Sequence, residues 1–495
     1  MENNQLDHIT LDQIEAERCR RSFFYFVKTF WPTIISETPV WNWHIEYMCD
    51  VAQEVVFHLK GYRDEQDNLI RPPKLYDPII NVPPGSSKST IWSIMLPAWA
   101  WTVDPTFRFL CGSYTDAISN DLAEKCRAVL VSEKYRALFP DISVVSQNVT
   151  KITNNHRGER YTTSTGGSAT GLHSHLIIID DPINPKKAAS DVERDNANNW
   201  MTGTLSTRKV NKEATVTALI MQRLHELDCT GHCLERWGNV KHICLPAEQS
   251  ALVKPPELLE KYSDNLLDPI RLSRTILGEY KKVLGSYGYA GQFDQNPAPA
   301  DGGIFKKDWF EPISQETYAK IKKFIRLSIW VDGAYTEKTT NDPSGFMIGG
   351  LYQNKLYIQN FTAKHLSFPD LISFLEAYAK EHGFIPSQGT IKVEPKASGI
   401  SLVQALQRQT RLPVTYYRFP KGGRVSMSDS KETRAHAVSS FVEAGRVVLV
   451  EGNWNRGYID SMASFPNAAH DEEVDCTVMA LSELFLKKST GITRV

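Results

Sequence analysis

The sequence predicts an α/β protein of two domains, and three observations point that way. Strand-like and helix-like runs alternate from residue 76 to about 246 and again from residue 325. That alternation implies parallel-rich sheets with crossover helices. A polar, proline-containing stretch at 248–310 separates the two blocks. At 495 residues the chain is also too long for one hydrophobic core.

Composition is that of an ordinary globular protein, 41% hydrophobic and 23% charged. The 56 basic and 57 acidic residues leave a net charge of -1, so any nucleic-acid binding must come from a local basic groove. The first residues, Met1-Glu-Asn-Asn-Gln5, are polar and do not read as a signal peptide. The longest apolar run, 91–103, is too short to cross a bilayer and contains Pro97. A soluble protein without membrane contact is expected. Eight irregularly spaced cysteines suggest reduced thiols rather than a disulfide framework.

Five segments follow along the chain. Residues 1–60 form a helical segment, amphipathic and aromatic at Phe23, Phe24, Phe26, Phe30 and Trp31, interrupted by Pro32 and Pro39. Residues 61–250 form the first domain, with strands at 78–82, 107–112, 176–179, 215–220 and 242–245 and helices at 89–101, 115–132 and 226–237. Residues 251–310 form a connector, helical at 273–284. Residues 311–488 form the second domain. Its strands at 325–332, 344–352 and 355–362 suggest a meander, followed by a helix at 369–381, a strand at 391–394 and a last helix at 475–487. Residues 489–495 read as a tail.

The first domain carries Asn81-Val-Pro-Pro-Gly-Ser-Ser-Lys-Ser-Thr90 directly after a strand. A phosphate-binding loop needs such a turn, with inward N–H groups, a lysine, and a hydroxyl at the start of a helix for Mg²⁺. Gly85, Ser86, Ser87, Lys88, Ser89 and Thr90 are the candidate nucleotide-binding residues. The loop departs from the usual pattern, with Val82 at the place of the first glycine and Ser87 at that of the second. Downstream, the buried-strand run Leu176-Ile-Ile-Ile ends in Asp180-Asp181. Asp180 is the candidate Mg²⁺ acid together with Ser89, and Asp181 the residue that orients an attacking water. An acidic turn before Pro182 is the plainer alternative. Hydrolysis also wants a cation against developing charge; Arg127, Arg157, Arg160, Arg223 or a neighbouring subunit could supply it.

The second domain ends two strand-like runs in acid, at Asp332 and Glu394. Two-metal phosphodiester cleavage needs three or four carboxylates converging from separate segments on ions about 4 Å apart. Asp471 completes a candidate catalytic set with Asp332 and Glu394. Asp475, four residues on, shares its helix face if the helix begins there; Asp342 is a further accessory. Taken singly, each acid reads more simply as a cap or turn residue. Basic residues lie between them, at Lys392, Lys396, Lys421, Arg424, Lys431 and Arg434. With Gly422-Gly423 they read either as a phosphate-backbone contact or as a solvated loop. Cys229, His232, Cys233, His242 and Cys244 invite a zinc reading, but their spacing is not that of a structural zinc site and packed thiols explain them more simply.

The order of these motifs resembles the large subunit of tailed-bacteriophage terminases, the DNA-packaging motor, from about Trp31 to Leu486. The likeness rests on Pro83-Pro-Gly-Ser-Ser-Lys-Ser-Thr90, Gly112-Ser-Tyr114, Thr165-Gly-Gly-Ser-Ala-Thr-Gly171, Ile177-Ile-Ile-Asp-Asp-Pro182 and Met221-Gln-Arg-Leu-His-Glu226. It continues through Gln292-Phe-Asp-Gln-Asn-Pro297, Gly302-Gly-Ile-Phe305, Val331-Asp332, Asn341-Asp-Pro343, Lys431-Glu-Thr-Arg-Ala435, Glu443-Ala-Gly-Arg446, Phe465-Pro466 and His470-Asp-Glu-Glu-Val-Asp475.

The resemblance implies a P-loop ATPase domain of the additional-strand (ASCE) type and a C-terminal RNase H-like nuclease. It assigns ATP and Mg²⁺ to Lys88, Ser89 and Asp180, with Asp181 where the family carries a catalytic glutamate. Gln222 falls where hydrolysis couples to movement, and 41–44 resembles the adenine-side region. Two Mg²⁺ or Mn²⁺ ions would sit on Asp332, Glu394 and Asp471, with Asp475 and Asp342 as accessories. The implied partners are double-stranded DNA, the procapsid portal, a small terminase subunit and further copies in a ring. The implied location is the host cytoplasm, outside the mature virion. Rival readings are a helicase-nuclease of repair or restriction, a non-enzymatic scaffold with a vestigial loop, and a transposase- or resolvase-type nuclease.

Overall fold

Two seven-stranded sheets organise the chain, each in its own folding unit. The computed structural model describes residues 10–146, 148, 150–167, 169, 171–297, 303–333, 343–395, 397–420, 425–466 and 471–486. The expected accessory Asp342, the basic residues Lys396, Lys421 and Arg424, the Gly422-Gly423 pair and the tail lie outside them.

The first unit comprises Met1–Glu279 and Tyr289–Ala298. Its strands are β1 (Asp77–Asn81), β2 (Arg108–Ser113), β3 (Lys151–Thr153), β4 (Glu159–Ser164), β5 (Leu176–Asp180), β6 (Val216–Met221) and β7 (Val240–Cys244), in the order β3-β4-β2-β5-β6-β1-β7. Every pairing is parallel except β3 with β4. The central strands β1, β5 and β6 are buried along their whole length, as apolar runs without alternation require. The register sets Asp180 opposite Ile220 and Asn81 opposite Met221, so the carboxyl ends of β5 and β1 reach one edge on either side of β6.

Helices cover the sheet. The expected N-terminal helices are α1 (Leu11–Arg21), α2 (Phe23–Phe30) and α3 (Trp43–Lys60). Thr10 closes a capping box on α1, Ser22 caps α2, and Asn42 caps α3. After the turn at residues 83–87, Thr90–Met95 is a π-helical turn leading into α4 (Leu96–Val103). Helices α5 (Asp116–Val131) and α6 (Glu133–Leu138) carry Thr115 and Ser132 as caps. Further along are α7 (Asp191–Asn199) and α8 (Cys229–Arg236). The helix α8 is shorter than the expected 226–237, because the Asp228 side chain caps it at Gly231 N.

One core joins α1–α3 to the sheet. Phe23 stacks on Trp99 at 4.8 Å, and Phe26, Phe30, Tyr135 and Phe139 pack ring to ring. On the other face Cys229 and Cys233 lie fully buried among Ile79, Leu219 and Met221, as packed thiols.

The second unit comprises Tyr280–Gly288 and Pro299–Val495, so the stretch expected as a connector contributes to both units. Helix α9 (Arg274–Gln292) is broken at Gly285, whose φ of 69° is left-handed. The strands are β8 (Glu311–Ile313), β9 (Ser328–Asp332), β10 (Ser344–Tyr352), β11 (Lys355–Lys364), β12 (Ile391–Val393), β13 (Val414–Tyr416) and β14 (Val447–Val450), in the order β8-β14-β11-β10-β9-β12-β13. The meander β9-β10-β11 is antiparallel, and the other strands add in parallel on both sides. Around them lie α10 (Gln315–Ile321), α11 (Phe368–Glu381), α12 (Ala397–Gln409), α13 (Lys431–Glu443), α14 (Asn455–Ser464) and α15 (Glu472–Phe485). The last helix starts three residues before the expected 475.

The shared core of the first unit predicts that its N-terminal helices carry stability. Phe26→Ala removes a fully buried ring and should cost about 3–5 kcal/mol in urea unfolding. A loss under about 1 kcal/mol would mean that α2 is not part of that core.

Candidate functional site

Two constellations emerge, one at each sheet. In the first unit the end of β1 is fixed by Asn81, whose Nδ2 donates to the Met221 carbonyl at 3.1 Å and to Thr230 Oγ1 at 2.8 Å. The chain then turns through Gly85 and Ser87, both left-handed at φ 77° and 62°. Ser87 stands at the expected second-glycine place and takes a glycine's backbone, at a cost of about 1 kcal/mol. Lys88 and Ser89 begin the following helical segment, and Thr90 opens its π-helical turn. A strand, a tight turn and a helix start are thus assembled as phosphate binding requires.

Asp180, at the end of β5, is 2% exposed. Ser89 Oγ donates to one of its oxygens at 2.9 Å and Ser93 Oγ to the other at 2.6 Å. Ser93 was not singled out from the sequence, although its position four residues after Ser89 puts both hydroxyls on one helix face. Lys88 Nζ lies 3.1 Å from Asp181 Oδ2, and the Gln222 backbone N–H donates to Asp181 Oδ1 at 3.4 Å. Asp181 itself is left-handed, at φ 43°. Two polar atoms are left over: Ser86 Oγ in the loop and Gln222 Oε1 are buried with no hydrogen-bond partner among the described residues. A ligand in the loop would satisfy such atoms.

The four arginines considered as a charge source are placed variously. Arg160 is buried, donating to the Ser93 carbonyl at 3.1 Å and to Thr162. Arg223 is held by Asp228 at 3.0 Å. Arg157 precedes β4 and so lies at the opposite, amino edge of the sheet. Arg127 lies within α5. Arg271, which no sequence pattern marked, instead reaches the loop, with Nη1 donating to Ser87 Oγ at 3.2 Å.

In the second unit β9 and β12 run parallel with Val331 opposite Val393, which sets Asp332 and Glu394 at one edge. Gly345, opposite Asp332 on β10, admits α15 closely: a Cβ there would meet the Glu472 Cβ at 2.7 Å. The approach of α15 brings in Asp475. Oxygens of Asp332, Glu394 and Asp475 lie within 4.8 Å of one another, and all three residues are buried. Asp471, expected in the catalytic set, stands just outside it at the helix N-cap, and the expected accessory Asp475 is inside. The reason is the earlier helix start, which turns Asp475 inward in the first turn of α15.

Two cations from α13 hold this charge. Lys431 Nζ lies 2.6 Å from Asp471 and 2.9 Å from Asp475, and Arg434 lies 3.1 Å from Glu394 and 3.6 Å from Asp475. Burial works against the Lys431 charge, but Asp475 and Asp471 outweigh it and push the amine up to about 12. Neither residue therefore belongs to a solvated loop, and Lys392 is ion-paired to Glu483. Three buried carboxylates with only oxygen donors suit a hard divalent ion such as Mg²⁺ or Mn²⁺.

Residues 330–484 match the family model described as the terminase RNase H-like domain. That stretch lies in the second unit and holds Asp332, Glu394 and Asp475. No curated protein sequence matches the chain. Among solved structures, the large terminase of a thermophilic bacteriophage, in complex with ADP, is 13% identical, covering 89% of this chain and 99% of that one at a TM-score of 0.41. The large terminase of bacteriophage HK97 is 9% identical, covering 87% and 99% at a TM-score of 0.33. The nuclease domain of the bacteriophage SPP1 large terminase, with bound Mn, is 13% identical, covering 36% and 98% at 0.26.

The Asp180 environment yields a pH prediction. Burial first, and then Asp181, push its carboxyl up to about 6, against Lys88, Ser93 and Ser89. The unfolded carboxyl ionises near 3.9. Since the folded value is the higher, ionisation costs stability, starting above about pH 4 and fully above about pH 6. Asp180→Asn cannot ionise. In metal-free buffer its stability relative to the parent should rise between pH 4.5 and 7.5, by at most about 3 kcal/mol. A difference independent of pH would overturn the assignment of strain to this carboxyl.

Proposed function

We propose that the chain is the large subunit of a phage-type terminase, an ATP-driven double-stranded DNA translocase fused to a metal-dependent endonuclease. The observation that carries the reading is the buried trio Asp332, Glu394 and Asp475, inside the stretch that matches the terminase RNase H-like model. The phosphate loop at the carboxyl edge of the other sheet supplies the second half.

At the loop, Gly85 to Ser89 would hold the phosphates, and Ser89 with Asp180 would hold Mg²⁺. The hydroxyl–carboxylate pair at 2.9 Å and the unpartnered Ser86 Oγ fit that ligand. Held there by Ser89 and Asp180, the ion would supply positive charge against the charge that develops on the phosphates. Asp181, held between Lys88 and the Gln222 amide, would orient a water. Its reach is one methylene shorter than a glutamate's. Gln222 follows β6 directly, so a change at Asp181 is felt at the end of that strand.

At the acid trio, Mg²⁺ or Mn²⁺ ions would be held by Asp332, Glu394 and Asp475, with Asp471 adjoining. They would activate a water and stabilise the leaving oxygen of a phosphodiester. Lys431 and Arg434 orient the carboxylates and balance their charge. The DNA contacts would be to phosphate, hence salt-sensitive and weakly sequence-specific. The portal, a small terminase subunit and further copies of the chain in a ring complete the reading as partners, in the host cytoplasm.

Plasmid cleavage with Mg²⁺ or Mn²⁺ tests both halves. Asp332→Ala and Asp475→Ala should abolish cutting, and Asp471→Ala should weaken it roughly tenfold, as an adjoining acid would. Lys88→Ala should spare cutting and lose DNA-stimulated ATP hydrolysis. Undiminished cleavage by Asp332→Ala would remove the nuclease, and undiminished ATP turnover by Lys88→Ala would remove the motor.

A further inference from the structure

The phosphate loop is short of positive charge. Its one lysine, Lys88, is engaged by Asp181 at 3.1 Å, and the loop itself contains no arginine. A nucleotide di- or triphosphate carries several negative charges, and one shared ammonium compensates them poorly.

The turn before α9 offers a second cation. Asp268 is buried at 3% side-chain exposure and accepts from Arg271 twice, from Nε at 2.7 Å and from the backbone N–H at 3.1 Å. The backbone bond holds the Asp268 carboxylate in place, and the Nε bond orients the guanidinium against it. Its other edge faces the loop: Nη1 donates to Ser87 Oγ at 3.2 Å, and Nη2 lies 3.4 Å from His44 Nε2. Both distances are long for a guanidinium, and neither partner is charged. Burial, and then Arg271 itself, depress His44 to about 4, so its imidazole is neutral. The acceptor-facing edge of Arg271 is thus anchored, oriented and only weakly satisfied. In the residue before Ser87, Ser86 Oγ is buried and without a partner among the described residues. A phosphate oxygen would satisfy both groups better, and a planar fork is the shape that recognises it.

Resting on the phosphate-loop reading above, we propose that Arg271 is a nucleotide-binding residue, which exchanges Ser87 Oγ and His44 for a phosphate oxygen of the bound nucleotide while Asp268 keeps its plane. It acts within the same chain, from a turn about 180 residues downstream of the loop, and so brings the segment 268–272 onto the nucleotide. Selectivity follows from position. Arg271 lies beside Ser87, immediately before Lys88, so it should distinguish ADP and ATP from AMP.

The test compares the full-length chain with Arg271→Gln, Arg271→Lys and Lys88→Ala, titrating fluorescent ADP and AMP analogues and recording the Tm of each nucleotide-free protein. Arg271→Gln should weaken ADP roughly tenfold or more and change AMP less than about threefold, with a lowered Tm because buried Asp268 loses its cation. Arg271→Lys should recover part of the ADP affinity, as a point charge without the fork does. Normal ADP binding by Arg271→Gln, with loss in Lys88→Ala, would overturn the Arg271 assignment and leave the loop reading intact. Equal losses for ADP and AMP with a lowered Tm that Arg271→Lys fails to restore would make Arg271 a structural clamp and overturn the proposal. Unchanged ADP binding in both Arg271→Gln and Lys88→Ala would overturn the loop reading itself.

Discussion

A carboxylate buried in protein has to be compensated, and both constellations are built around that requirement. Asp180 is buried at the end of a sheet strand and takes two serine hydroxyls from the helix after the phosphate loop. Asp332, Glu394 and Asp475 are buried together and take Lys431 and Arg434 from α13. Losing one partner of such a pair would leave a bare charge, a cost of about 3–5 kcal/mol. The chain accepts that risk twice, at the edges where parallel strands end and ligands of α/β sheets bind.

The sheet orders make this possible. In the first unit β6 lies between β1 and β5, so the loop after β1 and the acids after β5 are neighbours although about 90 residues separate them in sequence. In the second unit the parallel pairing of β9 with β12 does the same for Asp332 and Glu394. Helix α15 then enters over Gly345, where any larger side chain would push it away.

Much of this was legible in the residues. Apolar runs that end in acid, as at Leu176–Asp180 and Ser328–Asp332, announce buried strands and a charged edge. The strand Ser344–Tyr352 and the capped helices at Thr115, Ser273 and Asn42 follow from local patterns and cap chemistry. Contacts between distant segments did not follow. Arg271 reaches Ser87 across 184 residues, and no periodicity or motif encodes that meeting. The burial of Asp475 with Asp332 and Glu394 has a local cause. Asp, Glu and Glu at 471–473 are good first-turn residues, so the helix starts before 475 and changes which acid faces inward. Short strands such as Val414–Tyr416 and Val447–Val450 carry too few residues for a period to be read.

Lys431 and Arg434 sit one turn apart on α13, which makes the two counterions parts of a single rigid body. Lys431 is also the first residue of that helix, where the backbone dipole disfavours a positive charge, so its position depends on the acids it faces. The arrangement is mechanical as well as electrostatic. A displacement of the start of α13 withdraws both cations from the trio together. The balance of charge in the cluster therefore changes in one step of two units, and the position of one helix end decides how strongly the cluster draws an outside cation.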